Sequence, residues 1–179
     1  LYEKPGYPAI TCCHGSPASS RELLELDEES VKHWLETIDT DYLLCAHTHY
    51  PGELVYQNRH YFNSGCVGIA IGDAGLAQCI LLQSAEEKGK VVWKPQFLKI
   101  PYDNHKVAED MKSGGLLDYA PWFTNSNLYN ILTGTDHSAQ MAAFAGKLAA
   151  EENPQAKRPL IEEKYFELAA EYYGIPDYR

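Results

Sequence analysis

The sequence predicts an α/β protein with a helical carboxyl-terminal region. Two short apolar runs, residues 7–13 and 42–45, read as buried strands, and each ends at a histidine. Between them, residues 20–38 place their apolar side chains largely on one side of a helix, with a break or a fresh cap within residues 27–30. Beyond Pro101 the pattern is helical. A strand, helix and strand followed by a mainly helical region is typical of the α/β class.

Further strands are predicted between these segments and Pro101. They cover residues 53–62, 67–71, 76–83 and 90–100, and Gly- or Asn-containing turns join them as hairpins of one sheet. The chain therefore divides into residues 1–103, which hold the strands, and residues 104–179, a helical extension. Asp103 or Asn104 is placed to cap a helix over residues 106–112, and later helices are expected near 138–152 and 160–173, where Gly174 and Pro176 end the last one.

Composition excludes several classes of protein. Of 179 residues, 45% are hydrophobic and 22% charged, which suits a globular protein better than a disordered one. The apolar runs are far shorter than the roughly 20 residues needed to span a bilayer, so we expect no membrane partner. A net charge of −10 argues against a nucleic-acid polymer as partner. Five cysteines in apolar segments, without a C-x-x-C pair, predict buried, reduced thiols and a cytoplasmic protein.

The start of the chain carries no targeting signal. It begins at Leu1 rather than Met, without a basic stretch or an apolar signal region. We therefore expect that Leu1 is not the native first residue.

Three segments carry residues suited to metal chemistry. His47 and His49 follow the second strand, and residues two apart in an extended chain point to the same side. His14 follows the first strand and precedes Gly15, which permits close backbone approach. Small residues after Phe62, from Asn63 to Gly68, suit a tight turn past a ligand. Each segment alone also fits an ordinary hydrogen-bonded histidine or a structural turn.

Together the three segments resemble the last motifs of the calcineurin-like metallophosphoesterases. The match comprises His14-Gly15-Ser16-Pro17, then His47-Thr48-His49 before Pro51, then Phe62-Asn63-Ser64-Gly65, and it covers residues 7–102. The resemblance implies the carboxyl-terminal part of a metallophosphoesterase β-sandwich flanked by helices. It also implies a dinuclear centre that hydrolyses phosphomonoesters or phosphodiesters, in which His14 and His47 bind one metal and His49 the other. Imidazole ligands suit Mn, Fe, Zn, Co or Ni without selecting one.

The family's amino-terminal motifs, which supply the bridging Asp and further ligands, have no counterpart in this sequence. Asp103-Asn104-His105 looks like Asp-x-His but opens a helix, and Gly72-Asp73 reads as a turn. We therefore expect the chain alone to bind metal weakly and to catalyse little, and we assign no catalytic or substrate-binding residue. Ala46, where the family usually has Gly, and Cys66, in place of a small residue, are expected to be harmless.

Two other roles remain open at this stage. The chain could be a non-catalytic binding or scaffolding module whose helical tail is the working surface, or it could carry an isolated structural metal site. The tail could pack on the sheet, cover the site or mediate homo-oligomer formation. Four aromatic residues, Tyr119, Trp122, Phe123 and Tyr129, are expected to pack under the tail or to line a partner surface. His33 and His60 are expected to be packing or surface residues, and His137 a local cap.

Overall fold

The computed structural model describes residues 1–155 and 161–179, which contain six strands and six helices. The strands are β1 (Ile10–Cys12), β2 (Tyr42–Cys45), β3 (Gly52–Tyr56), β4 (Arg59–Asn63), β5 (Leu76–Glu87) and β6 (Lys90–Pro101). The helices are α1 (Glu28–Thr37), α2 (Asn104–Ser113), α3 (Leu116–Tyr119), α4 (Pro121–Thr133), α5 (Ser138–Glu152) and α6 (Glu163–Tyr172). The predicted mixture of strands followed by helices is confirmed.

The described residues form two compact units. The first contains residues 1–70 and 76–101, and the second contains residues 71–75 and 102–179. A compact unit is not by itself a demonstration of independent folding, so the domain division at residue 103 stays a prediction. No helix in the described parts of the chain is long and apolar enough to cross a membrane.

Strands β3 to β6 belong to two sheets rather than to the one sheet that their hairpin pattern predicted. Strands β1, β2 and β4 are parallel neighbours, and β3 pairs antiparallel with β4, giving the order β1-β2-β4-β3. Strands β5 and β6 form a separate antiparallel hairpin. The predicted strand over residues 53–62 is two strands, because Gln57 and Asn58 adopt positive φ and form the two-residue turn between β3 and β4. Residues 67–71 were also predicted as a strand, but they form no strand in the structure.

Strand β2 separates two apolar clusters because its side chains alternate between the faces of the sheet. Leu43 and Cys45 join the cluster that receives α1, whereas Tyr42 and Leu44 lie in the cluster that contains Trp93 of β6. The backbone N–H of Trp93 donates to the Tyr42 hydroxyl at 3.2 Å, and its indole Nε1 donates to the Pro8 carbonyl at 2.9 Å. The sheet is therefore covered by α1 on one face and by the β5–β6 hairpin on the other.

Helix α1 is shorter than predicted because it begins at a strong cap in mid-segment. Asp27 accepts a hydrogen bond from the Ser30 N–H at 2.8 Å, and residues 20–27 precede the helix. At the other end, Arg59 of β4 donates through Nη1 to the carbonyls of Leu35 at 2.5 Å and Ile38 at 2.7 Å. The side chain of a strand thus satisfies carbonyls that the end of the helix leaves open.

The second unit is helical, and α4 is its most buried helix. Asp103 caps α2 as predicted, and α5 and α6 match the predicted helices except that residue 160 lies outside the described residues. The sequence reasoning missed α3 and α4. Asn125 of α4 donates to Asp177 at 3.1 Å and accepts from the Tyr178 N–H at 3.1 Å, so the carboxyl-terminal segment is bound to α4. Of the predicted aromatic cluster, Trp122 is buried but Tyr119 and Phe123 are exposed.

Candidate metal centre

His14 follows β1 directly and is fixed by backbone contacts on both sides. The Cys13 N–H donates to the Leu44 carbonyl, and the Ala46 N–H donates to the His14 carbonyl, both at 3.0 Å. The parallel pairing of β1 and β2 therefore continues into the two histidine loops. Gly15 is required here, since a Cβ at this position would lie 2.6 Å from the backbone oxygens of Ser19 and Glu22.

His47 and His49 both adopt a left-handed backbone conformation. Their φ angles are 68° and 63°, values that are uncommon for any residue with a Cβ. The Thr48 N–H donates to the Ala46 carbonyl at 2.8 Å and closes a three-residue turn around His47. Such strain costs about 1–3 kcal/mol per residue and is concentrated at functional sites. Ala46 itself has no positive φ, which explains why a glycine is not needed there.

The rings of His14 and His47 are brought together. Their centroids lie 4.7 Å apart with an interplanar angle of 56°. The family resemblance implied this approach, because it assigned both histidines to one metal. The separate argument that His47 and His49 point to the same side assumed an extended chain, and their positive φ angles contradict that assumption. Two imidazoles this close can ligate the same metal ion when both are neutral.

His49 is paired with Cys66, a contact that the sequence reasoning did not anticipate. Burial raises the pKa of the Cys66 thiol, but hydrogen bonds from His49 and from the backbone N–H groups of Ile69 and Gly68 outweigh it, and the pKa is lowered overall. The bond from the Ile69 N–H to the Cys66 sulfur is 3.2 Å long. Cys66 is thus hydrogen-bonded to a predicted metal ligand, and it is more than a harmless replacement for a small residue.

Asn63 braces the loop that carries His47. This side chain, fully buried at the end of β4, donates through Nδ2 to the Ala46 carbonyl and to the Thr48 hydroxyl, both at 2.8 Å. Its Oδ1 accepts from the Gly65 N–H at 3.0 Å. The two acceptors flank His47, so Asn63 fixes the strained turn from both sides. The Asn-Ser-Gly segment was the available signal, but it indicated only a turn.

Two thiols lie beneath the same loops. The sulfurs of Cys13 and Cys45 are 3.2 Å apart, and Cys45 is 2% exposed. The hydrogen bond between them lowers the pKa of Cys13, against the effect of burial, and raises the pKa of Cys45, to which burial also contributes.

The remaining predicted residues have structural roles. His60 stacks on Tyr42 at 5.0 Å and pairs with Glu53 at 2.8 Å, and His33 packs on Trp34. His137 precedes α5 but makes no capping bond with its side chain, which corrects that prediction, and it stacks instead on Tyr129 and Tyr173.

The donor set fits part of a metal centre. The rings of His14 and His47 lie next to each other, whereas His49 is hydrogen-bonded to Cys66. Among residues 1–155 and 161–179, no three His, Cys, Asp or Glu side chains converge as a metal-binding group. The assignment of His14, His47 and His49 as ligands therefore stays a prediction.

Comparison with known proteins gives a likeness of fold. Protein-family models give no match, and neither do curated protein sequences. Among solved structures, the hypothetical protein PH1004 from Pyrococcus horikoshii OT3 matches with a TM-score of 0.56 and 17% identity over 76% of this chain and 50% of that one. The metallophosphoesterase from Sphaerobacter thermophilus matches with a TM-score of 0.50 and 17% identity over 73% of this chain and 58% of that one.

A third match, Vps29 from Entamoeba histolytica complexed with zinc, has a TM-score of only 0.29 at 20% identity, over 41% of this chain and 47% of that one. The chain spans about half the length of the first two structures, 50% and 58%. The first two matches show a likeness of fold to this chain.

Proposed function

We propose that this chain is the carboxyl-terminal half of a metal-dependent phosphoesterase that hydrolyses phosphomonoesters or phosphodiesters. The observation that carries the proposal is the 4.7 Å approach of the His14 and His47 rings, the second of which lies on a turn that buried Asn63 holds in a strained conformation. Strain of this kind persists only where surrounding structure enforces it, and it is more easily explained at a working site than in an ordinary turn. The superfamily fold is consistent with this function.

In this proposal His14 and His47 hold one divalent ion and His49 the other. When bound, such a pair of ions would stabilise the developing charge on phosphate oxygens and supply hydroxide at neutral pH. Asn63 keeps the backbone around His47 in place, and the Gly15 backbone leaves room for the His14 loop. The remaining ligands, including a bridging carboxylate, belong to the half of the matched fold that this chain does not span. The two sheets of the first unit are then layers of the family's β-sandwich.

Cobalt binding tests the ligand assignment. The purified chain is titrated with Co²⁺ and followed by its visible absorption, and weak binding is expected. His14→Ala and His47→Ala should each weaken binding at least about tenfold, a loss comparable to or larger than that seen for outer-shell residues. His60→Ala is the matched control, because this histidine is paired with Glu53 away from the loops. Equal affinity in all four proteins would overturn the assignment.

Activity tests the reaction. The chain together with the residues encoded upstream of Leu1 is assayed on a chromogenic phosphodiester with added Mn²⁺. Turnover is expected, with a loss of at least about 100-fold in His47→Ala and His49→Ala. Unchanged turnover in these variants would eliminate the phosphoesterase proposal.

A second candidate function is a non-catalytic binding or scaffolding module that uses the helical unit. The observation that favours it is that, in the described parts of the chain, fewer than three ligand side chains converge on one point. A binding module needs no complete metal shell. A melting temperature that stays constant across a metal titration, together with loss of partner association in chains lacking residues 102–179, would favour this function over hydrolysis.

A further inference from the structure

Cys13 and Cys45 are placed as a disulfide would require. Cys12 pairs with Leu44 in the parallel ladder, and the Cys13 N–H donates to the Leu44 carbonyl, so Cys13 and Cys45 are the next neighbours across the two strands. Neighbouring strands are about 4.7–4.9 Å apart, within the roughly 4.4–6.8 Å between Cα atoms that disulfides accept. The two sulfurs already face each other at 3.2 Å.

The two sulfurs differ in access to solvent. Cys45 is 2% exposed and lies in the apolar cluster under α1, whereas Cys13 is only partly buried against that cluster. Cys12 is the preceding residue in β1 and is exposed, and its side chain points to the opposite face of the sheet. Cys13 is therefore the more accessible of the two thiols to a dissolved oxidant.

We propose that Cys13 and Cys45 form a reversible disulfide, with a low-molecular-weight disulfide such as glutathione disulfide as the oxidant. In the first step the Cys13 sulfur, having lost its proton, attacks one sulfur of glutathione disulfide, which forms a mixed disulfide and releases one glutathione thiolate. In the second step the Cys45 sulfur loses its proton and attacks the Cys13 sulfur, which releases the second glutathione. Two protein thiols are oxidised by two electrons, and one glutathione disulfide is reduced to two glutathione molecules.

The bond would join the ends of β1 and β2, which are 32 residues apart in sequence. His14 follows one cysteine directly and His47 lies two residues after the other. The disulfide therefore fixes the separation of the two loops at their base. It limits the sequence-based expectation of reduced thiols to Cys12, Cys66 and Cys79. The inference goes beyond the proposed function and does not depend on it.

The test is thiol counting after equilibration of the reduced full chain in glutathione buffers of increasing oxidised fraction, followed by acid quenching, alkylation and peptide mass analysis. The native chain should fall from five alkylated cysteines to three, and its mass should fall by two hydrogen atoms, with Cys13 and Cys45 in one crosslinked species. Cys12→Ser is the matched control and should form the same crosslink. Cys13→Ala should form no crosslink between cysteines. Cys45→Ala should accumulate glutathione on Cys13 and proceed no further.

Two results would overturn the inference. One is a native chain in which glutathione on Cys13 persists without release by Cys45, and the other is a crosslink that includes Cys12. The native chain oxidised in concentrated urea keeps the test independent of whether the variants fold. In urea the disulfides should no longer favour Cys13 with Cys45, because that preference comes from the register of the two folded strands. The same preference in urea would show that the fold does not cause it.

Discussion

Two buried asparagines, one in each unit of the molecule, differ in their hydrogen bonding. Asn63 in the strand unit is 0% exposed, and both ends of its amide are hydrogen-bonded. Asn130 in the helical unit is 1% exposed, and neither Nδ2 nor Oδ1 bonds to any group of the described residues. A buried amide stabilises a structure when it is paired and destabilises it when it is not. The buried amide of Asn63 therefore positions the His47 loop, whereas that of Asn130 holds no neighbour in place.

The largest expected effect is at Asn63. Asn63→Leu keeps the branched shape but leaves the Thr48 hydroxyl and the Gly65 N–H without their partner, and the Ala46 carbonyl loses one of its two hydrogen bonds. Each buried orphan costs about 1–3 kcal/mol, so the free energy of unfolding should fall by about 3 kcal/mol or more. Urea denaturation measures the free energy of unfolding, and Gln96→Ala, at an exposed position of β6, is the control. A loss below about 1 kcal/mol would show that the brace contributes little.

The second effect concerns Tyr61, whose hydroxyl donates to the Leu24 carbonyl at 2.7 Å. Burial raises the pKa of this phenol to about 12, so folding favours the neutral form. The resulting stability is fully present below about pH 10, the ordinary tyrosine pKa, and is lost as pH rises through about 12. Between these values the native chain should lose about 2–3 kcal/mol more than Tyr61→Phe. Parallel stability profiles of the two proteins would contradict this.

A smaller effect of opposite sign is expected at His47. His47→Gly removes the strain of a left-handed residue but adds freedom to the unfolded chain, so a net gain of about 0.5–1 kcal/mol in the free energy of unfolding is expected. His60→Gly is the control, because this residue lies within strand β4, and it should destabilise. Cobalt affinity should fall in the first variant only. A destabilised His47→Gly protein would show that the turn is not strained.

The smallest effect is expected at the matched asparagine of the helical unit. Asn130→Leu removes an amide that bonds to no described group, so the free energy of unfolding should stay within about 0.5 kcal/mol of the original or rise. Thermal and urea unfolding measure it. A loss of stability as large as that of Asn63→Leu would contradict the contrast between Asn63 and Asn130.

What the sequence could predict follows from how local each feature is. The caps at Asp27 and Asp103 depend on a few neighbouring residues, and both were visible in the sequence. The approach of His14 to His47 followed from the family resemblance, which assigned both histidines to one metal. The brace at Asn63 did not, because it depends on contacts between chain segments that only the tertiary fold brings together.

The errors have equally physical causes. Gln57 and Asn58 interrupt an apolar run without Gly or Pro, so the hairpin looked like one strand. Helix α4 buries Thr124, Asn125, Ser126 and Asn127, and a helix buried through its polar residues shows no apolar stripe. The first miss comes from a turn without its usual residues, and the second from reading side-chain polarity as a guide to exposure.

Arg59 has a consequence for the order in which the first unit opens. Arg59 lies in β4, and its guanidinium donates to two carbonyls at the end of α1. Helix ends without such partners unfold first. The last turn of α1 should therefore be protected from amide hydrogen exchange to the same degree as the centre of the sheet, and it should lose that protection only when β4 separates. The helix and the strand would then open as one cooperative unit.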